Sequence, residues 1–205
     1  ASNPFIAKVA IQINSDNVTV SGFTIKYDYF PSSYGIRGNG NNTQVTGNKI
    51  VGAANGIVLV GSNNVVMENI VANSGYGIEI IGSNNTIEEN TINGAVGDGI
   101  AMRGSSNTAR DNTLTGCSMG IEVKGEVTNI ISNLITGGNE GLKLWFCSNS
   151  TVSGNRIERN GLWGICLGGS FGNVFYGNLI ADARGSNGGY GVSIGGTTYT
   201  TRSEN

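Results

Sequence analysis

The 205-residue sequence predicts an all-β solenoid: a parallel β-helix of about nine coils of 21–23 residues, with three short strands per coil. Three observations lead there. Gly supplies 34 residues and Asn 28, while Pro is limited to 2 and charged residues to 13%. Such a chain forms helices poorly, yet 38% hydrophobic content is too much for a disordered linker. Second, two markers recur in phase. Gly before an aliphatic stands at Gly35, Gly56, Gly77, Gly99, Gly120, Gly141, Gly164 and Gly191, and Asn-x-aliphatic recurs at Asn48, Asn69, Asn90, Asn112, Asn133, Asn155 and Asn178. Third, apolar residues alternate with period two inside each repeat, the pattern of half-buried strands.

Each coil is justified in turn by its columns. The first strand carries Ile36, Ile57, Ile78, Ile100, Ile121, Leu142 and Ile165. The second carries Val20, Val45, Val66, Ile87, Ala109, Ile130, Val152 and Phe175. The third carries Ile25, Ile50, Val71, Ile92, Leu114, Ile135, Ile157 and Ile180. Gly, Asn and Ser fill the corners, where Gly and Asn tolerate left-handed backbone. A repeat of this length is too short for a propeller blade of ~40–45 residues, and the L-x-x-L-x-L-x-x-N pattern of the leucine-rich horseshoe is absent. Parallel coils stack at about 4.8 Å, so nine would make a rod of roughly 40 Å. Stacked Asn side chains are expected to bond amide to amide between coils. Two segments are expected as extruded loops, 27–34 and 185–189, the first dense in aromatics. Residues 1–205 read as one domain with a polar tail at 197–205. Neither end shows a capping helix, so the solenoid either continues in a longer β-helix or has its open ends covered by neighbours.

Composition also excludes chemistries. With no His there is no Ser-His-Asp triad, no imidazole base and no imidazole metal site. A net charge of −2 gives no basic footprint for nucleic acid, and no apolar run is long enough for a membrane span. The three cysteines, Cys117, Cys147 and Cys166, form no even disulfide framework.

Segments 16–25, 61–64 and 150–155 resemble the right-handed parallel β-helix repeats of the carbohydrate-binding and sugar-hydrolase superfamily, in their NosD-like form. The resemblance covers residues 7–196. It implies a right-handed solenoid placed outside the cytoplasm: extracellular, on the cell surface or periplasmic. NosD-like proteins are linked to copper delivery for nitrous oxide reductase. Without His, copper would need Cys and Met donors. Cys117 and Met119 are close in sequence, but Met102 falls in a core column and the thiols read as buried small hydrophobes. No metal and no cofactor are therefore expected. Of the polygalacturonase-like motifs only Gly97-Asp98-Gly99-Ile100 is similar to one. The clustered acids of pectate-lyase-like members and the Asp-Pro-His-Glu stretch of the epimerases are missing.

Outward positions on the first strand form two stripes. One holds Glu79, Glu122, Lys143 and Cys166. The other reads Tyr34, Asn55, Tyr76, Asp98, Met119, Glu140, Trp163 and Tyr190. Rings beside acids and amides suit a sugar polymer, since rings stack on pyranose faces and polar groups bond hydroxyls. Tyr34, Asn55, Tyr76, Asp98, Glu140, Trp163 and Tyr190 are thus glycan-binding candidates. Asp98 with Glu79 or Glu122 is the best carboxylate set for catalysis. Glu79 and Glu122 are expected about 9.6 Å apart, two coils, near the upper end of the ~6.5–9.5 Å of an inverting pair. Glu122 and Lys143 are expected to form a cross-strand ion pair. The reading is a non-catalytic structural or adhesive module that binds polysaccharide along the first-strand face. The alternatives are a polysaccharide hydrolase or lyase, and a scaffold that self-associates into a filament or coat.

Overall fold

The computed structural model describes residues 8–182, 190–195 and 200–202, and among them every regular element is a β-strand. All pairing is parallel. Strands stack in three faces. The first face runs from Lys8–Ile13 through Tyr76–Ile81, Asp98–Arg103, Met119–Lys124, Glu140–Trp145 and Trp163–Gly168 to Tyr190–Gly195. The second runs from Thr19–Ser21 to Thr200–Arg202, so part of the expected polar tail supplies a rung. The third ends at Leu179–Ala181 and is one rung shorter. The result is about eight complete turns, slightly fewer than the nine expected. Strands Thr24–Asn39 and Lys49–Val60 pass round the corner between the third and first faces without a break, joining those faces into one sheet.

Segment 27–34 is not an extruded loop. It stays within Thr24–Asn39 and is absorbed as register shifts between Lys26 and Phe30 and between Phe30 and Tyr34. The Tyr27 hydroxyl donates to the Tyr34 carbonyl at 2.9 Å, and the buried Ser33 hydroxyl accepts from the Ala54 N–H at 2.8 Å. These bonds tie the extra residues down, as expected of bulges. The expected loop at 185–189 lies outside the described residues.

The columns read from the sequence form the core: Ile36, Ile57, Ile100 and Ile121 on the first face, Val66 and Ile87 on the second, and Ile50, Val71 and Ile92 on the third are all fully buried. At the corner before the third face, Asn48, Asn69, Asn90, Asn112, Asn133, Asn155 and Asn178 stack as a buried ladder. Each amide from Asn48 to Asn155 donates to the Oδ1 of the next, as in Asn90 to Asn112 at 3.0 Å and Asn112 to Asn133 at 2.9 Å. Each also donates to backbone carbonyls of its own and the preceding coil, Arg110 and Ile87 for Asn112. Turn carbonyls sealed away from water are thereby satisfied.

Candidate functional site

The alternation that buries one side of the first face aims the other side outward, and there the fold assembles a cleft. It has a volume of about 250 Å³ and is lined by Asn55, Tyr76, Ile78, Glu79, Gly97, Asp98, Ala101 and Arg103. Register explains the gathering. Tyr34, Asn55 and Tyr76 follow one another in adjacent coils, and Asp98, Met119, Glu140, Trp163 and Tyr190 continue the column. Glu79, Ala101 and Glu122 form the neighbouring column, and Ala101, which is buried, opens the gap between the two carboxylates. The Tyr76 ring lies against the bare backbone of Gly97, where a Cβ would come within 2.5 Å of a ring carbon. Tyr76 is nevertheless half exposed, so its ring forms a wall of the cleft.

The electrostatics centre on Arg103. Its Nε donates to Glu79 Oε1 at 2.9 Å, and its Nη2 lies 3.9 Å from Glu122 Oε2. Glu122 Oε2 also takes Lys124 Nζ at 3.1 Å. The guanidinium therefore stands in the gap between Glu79 and Glu122 that the sequence spacing left for a reacting water and sugar. Burial, followed by the charge of Glu122, raises the Asp98 pKa above the usual carboxylate value, and Arg103 and Lys124 oppose the rise. Asp98 is thus the carboxyl of the cleft best suited to hold a proton.

Of the sequence candidates, the cleft brings together Asn55, Tyr76, Glu79 and Asp98, and Arg103 links Glu122 to it. Tyr34 lies three coils from Asp98 on one side, with Arg37 over its ring at 5.1 Å. Trp163 and Tyr190 lie three and four coils away on the other side. Lys143 does not pair with Glu122 as expected. It reaches Glu140 Oε2 at 3.6 Å and lies over the Trp145 ring at 5.1 Å, because Lys124 and Arg103 already engage Glu122. Glu140 is consequently ion-paired rather than free, and it lies outside the cleft lining.

Sequence reasoning missed Arg103, Lys124 and Trp145, which form the outward column two positions on from Ala101, Glu122 and Lys143; extending the period-two reading by one more step would have found them. It also missed Phe146. At that corner Gly40, Gly61, Gly82, Gly104, Gly125 and Gly169 stack in a column that admits no side chain without striking the carbonyl of the preceding coil at Gly61, Gly82, Gly104 or Gly125. Phe146 interrupts this column. It has φ 53°, is 70% exposed, and meets Trp145 edge-on at 6.0 Å. Among the described residues only Phe146 and Val127 are apolar non-glycine residues with positive φ, and they sit at the same corner of adjacent coils. A bulky side chain held there carries strain.

The donor set does not fit copper. The sequence has no imidazole. Cys117 and Cys147 are buried at different corners, where burial pushes both thiols up in pKa. Their Sγ atoms point at backbone carbonyls, Cys147 at that of Val123 at 3.1 Å. Cys166 stands apart on the first face and Met102 is in the core. Among the described residues no three His, Cys, Asp or Glu side chains come together as a metal-binding group.

Known proteins share this architecture. An alginate lyase from a Paenibacillus species superposes with a TM-score of 0.56 at 15% identity, over 93% of this chain and 92% of that one. The enzymatically active domain of bacteriophage CBA120 tailspike protein 2 superposes with a TM-score of 0.54 at 12% identity, over 94% of this chain but only 39% of that one. At such identities the likeness is one of fold. No curated protein matches the sequence. Residues 9–205 match the family model described as periplasmic copper-binding protein (NosD), and with nearly the whole chain covered, the protein belongs to the NosD family.

Proposed function

We propose that the protein is an extracytoplasmic glycan-binding module whose first face takes a linear polysaccharide along the solenoid axis, without chemistry. The observation that carries this reading is the cleft, where the half-exposed Tyr76 ring stands beside Asn55, Glu79, Asp98 and Arg103. A ring offers a pyranose its apolar face, and an amide with two carboxylates offers acceptors and donors for hydroxyls. Stacked coils repeat at about 4.8 Å, close to the length of one pyranose unit, so an extended glycan meets an equivalent backbone position in each coil. The periplasmic description of the family supports the location, and one protein that shares the fold is named for its action on a polysaccharide, alginate. Equilibrium binding to immobilised neutral and acidic polysaccharides tests the reading. Binding to at least one polymer is expected, and Tyr76→Ala should weaken it about tenfold, the ~1.4 kcal/mol of a well-packed ring, with an unchanged melting temperature. Binding to none would refute the proposal.

One observation favours a second reading, a polysaccharide-cleaving enzyme with Asp98 as proton donor: the raised pKa of that carboxyl inside a cleft. New reducing ends or unsaturated products, lost in Asp98→Asn, would establish it.

A further inference from the structure

We propose that the glycan taken by the first face is neutral, a polymer of hydroxyl-bearing sugars without carboxylates. The inference rests on the glycan reading above and follows from how charge is spent inside the cleft. Arg103 is the one cation among the lining residues, and Glu79 and Asp98 are the anions. The guanidinium is compensated from within the chain, by Glu79 at 2.9 Å and by Glu122 at 3.9 Å. Lys124, beside the cleft in the next coil, is bound by Glu122 at 3.1 Å. One coil further, Lys143 is held by Glu140. Toward the other end, Arg37 lies over the Tyr34 ring two coils before Glu79.

A polyuronate would bring a carboxylate on every ring into this setting. Repeating at nearly the coil spacing, those carboxylates would stand against Glu79 and Asp98 with no uncompensated cation in the cleft to receive them, and like charges at strand spacing repel. A neutral sugar meets the opposite situation. Its hydroxyls donate to the carboxylate oxygens, in charge-assisted bonds stronger than neutral ones. The Asn55 amide both gives and accepts, and the Tyr76 ring takes the apolar ring face. Carboxylates outnumber the one cation in the cleft lining, and what they ask of a ligand is donors. This departs from the alginate lyase that shares the fold, whose named substrate is a polyuronate.

The test compares equilibrium binding of the intact chain to a soluble neutral β-glucan, a neutral mannan, alginate and polygalacturonate, at low and at high salt. Binding to a neutral polymer is expected, insensitive to salt, with both uronate polymers at least about tenfold weaker. Glu79→Gln and Glu122→Gln each release part of the Arg103 charge and should bring uronate binding up at low salt, with melting temperatures confirming folded variants. Uronate binding equal to or tighter than neutral binding in the wild-type chain overturns this inference and leaves the glycan reading standing. The inference falls equally if both folded variants keep the wild-type discrimination, since compensation of Arg103 would then not be its cause. Binding to no polymer overturns the glycan reading itself.

Discussion

Two columns of the same solenoid obey opposite rules. The ladder from Asn48 to Asn178 repeats one residue in seven successive coils, is buried, and satisfies its amides from coil to coil. The outward column through Asn55, Tyr76, Asp98, Met119, Glu140 and Trp163 repeats nothing, and its members are partly or largely exposed. Stacking at about 4.8 Å makes identical amides cooperate, since each donor faces the acceptor of its neighbour. The same stacking makes a varied column a place where unlike groups converge. Regular columns build the rod and irregular ones build its surface chemistry, so substitutions in the two should damage different properties.

The largest effect belongs to the ladder. Asn112→Ala removes an Oδ1 that accepts from the backbone N–H and side-chain amide of Asn90, and an amide that donates to Ile87, Arg110 and Asn133. Groups left buried without partners cost ~1–3 kcal/mol each. A loss of about 3–5 kcal/mol is expected in denaturant unfolding. A loss under about 1 kcal/mol would show that water replaces the amide and that the ladder is not what holds the corner.

Next in size is Gly97→Ala, which acts on the outward column through its neighbour. The new Cβ meets the Tyr76 ring, the movable end of a half-exposed side chain, so the ring shifts rather than the backbone. Glycan binding should fall several-fold while stability changes by less than about 1 kcal/mol. Equal losses in binding and stability would place Tyr76 among the structural residues.

The contrast between the columns explains what was legible in the sequence. Ile36, Ile57 and Ile78 announce a first strand because burial demands the same residue type in every coil, and Asn48, Asn69 and Asn90 announce a corner for the same reason. Asp98, Tyr76 and Glu79 were readable as neighbours once the register was known. The place of Arg103 on that face follows from one more step of the alternation, but its role does not, since that depends on how far a flexible side chain reaches across a coil to Glu79. The course of 27–34 was misread because extra residues in a strand and extra residues in a loop look alike until the Tyr27 and Ser33 bonds are seen. Phe146 was hidden for a different reason: a break in a glycine column is visible only when the column has been aligned by its corner.

Phe146→Gly sharpens the comparison from the other side, because it restores a repeat. The ring's edge contact with Trp145 contributes about 0.5–1.5 kcal/mol, and relief from the left-handed conformation returns roughly 1–2 kcal/mol. Against that stands the added freedom of glycine in the unfolded chain, about 0.5–1 kcal/mol. The three nearly cancel, so thermal unfolding should move by no more than a few degrees in either direction, far less than the several kcal/mol usual for truncating a Phe in a core. A drop of core size would mean that the exposed ring is structural despite its position.

The smallest effect tests the proton on Asp98. Its pKa is raised in the folded chain, first by burial and then by the charge of Glu122. Between the ordinary Asp value and the raised one, the native state holds more protons than the unfolded state. Stability contributed by this group is therefore present at low pH and declines as pH rises through that window. Asp98→Asn keeps the shape of the protonated form and removes the titration. Below the window the variant and the wild type should unfold alike; as pH rises through it, the variant should gain on the wild type and then hold a constant lead to neutral pH. Melting temperatures measured in parallel across that range check the sign. A variant that instead loses ground with rising pH would mean that Arg103 and Lys124 outweigh burial and that the carboxylate, not the acid, is the native form favoured by the cleft.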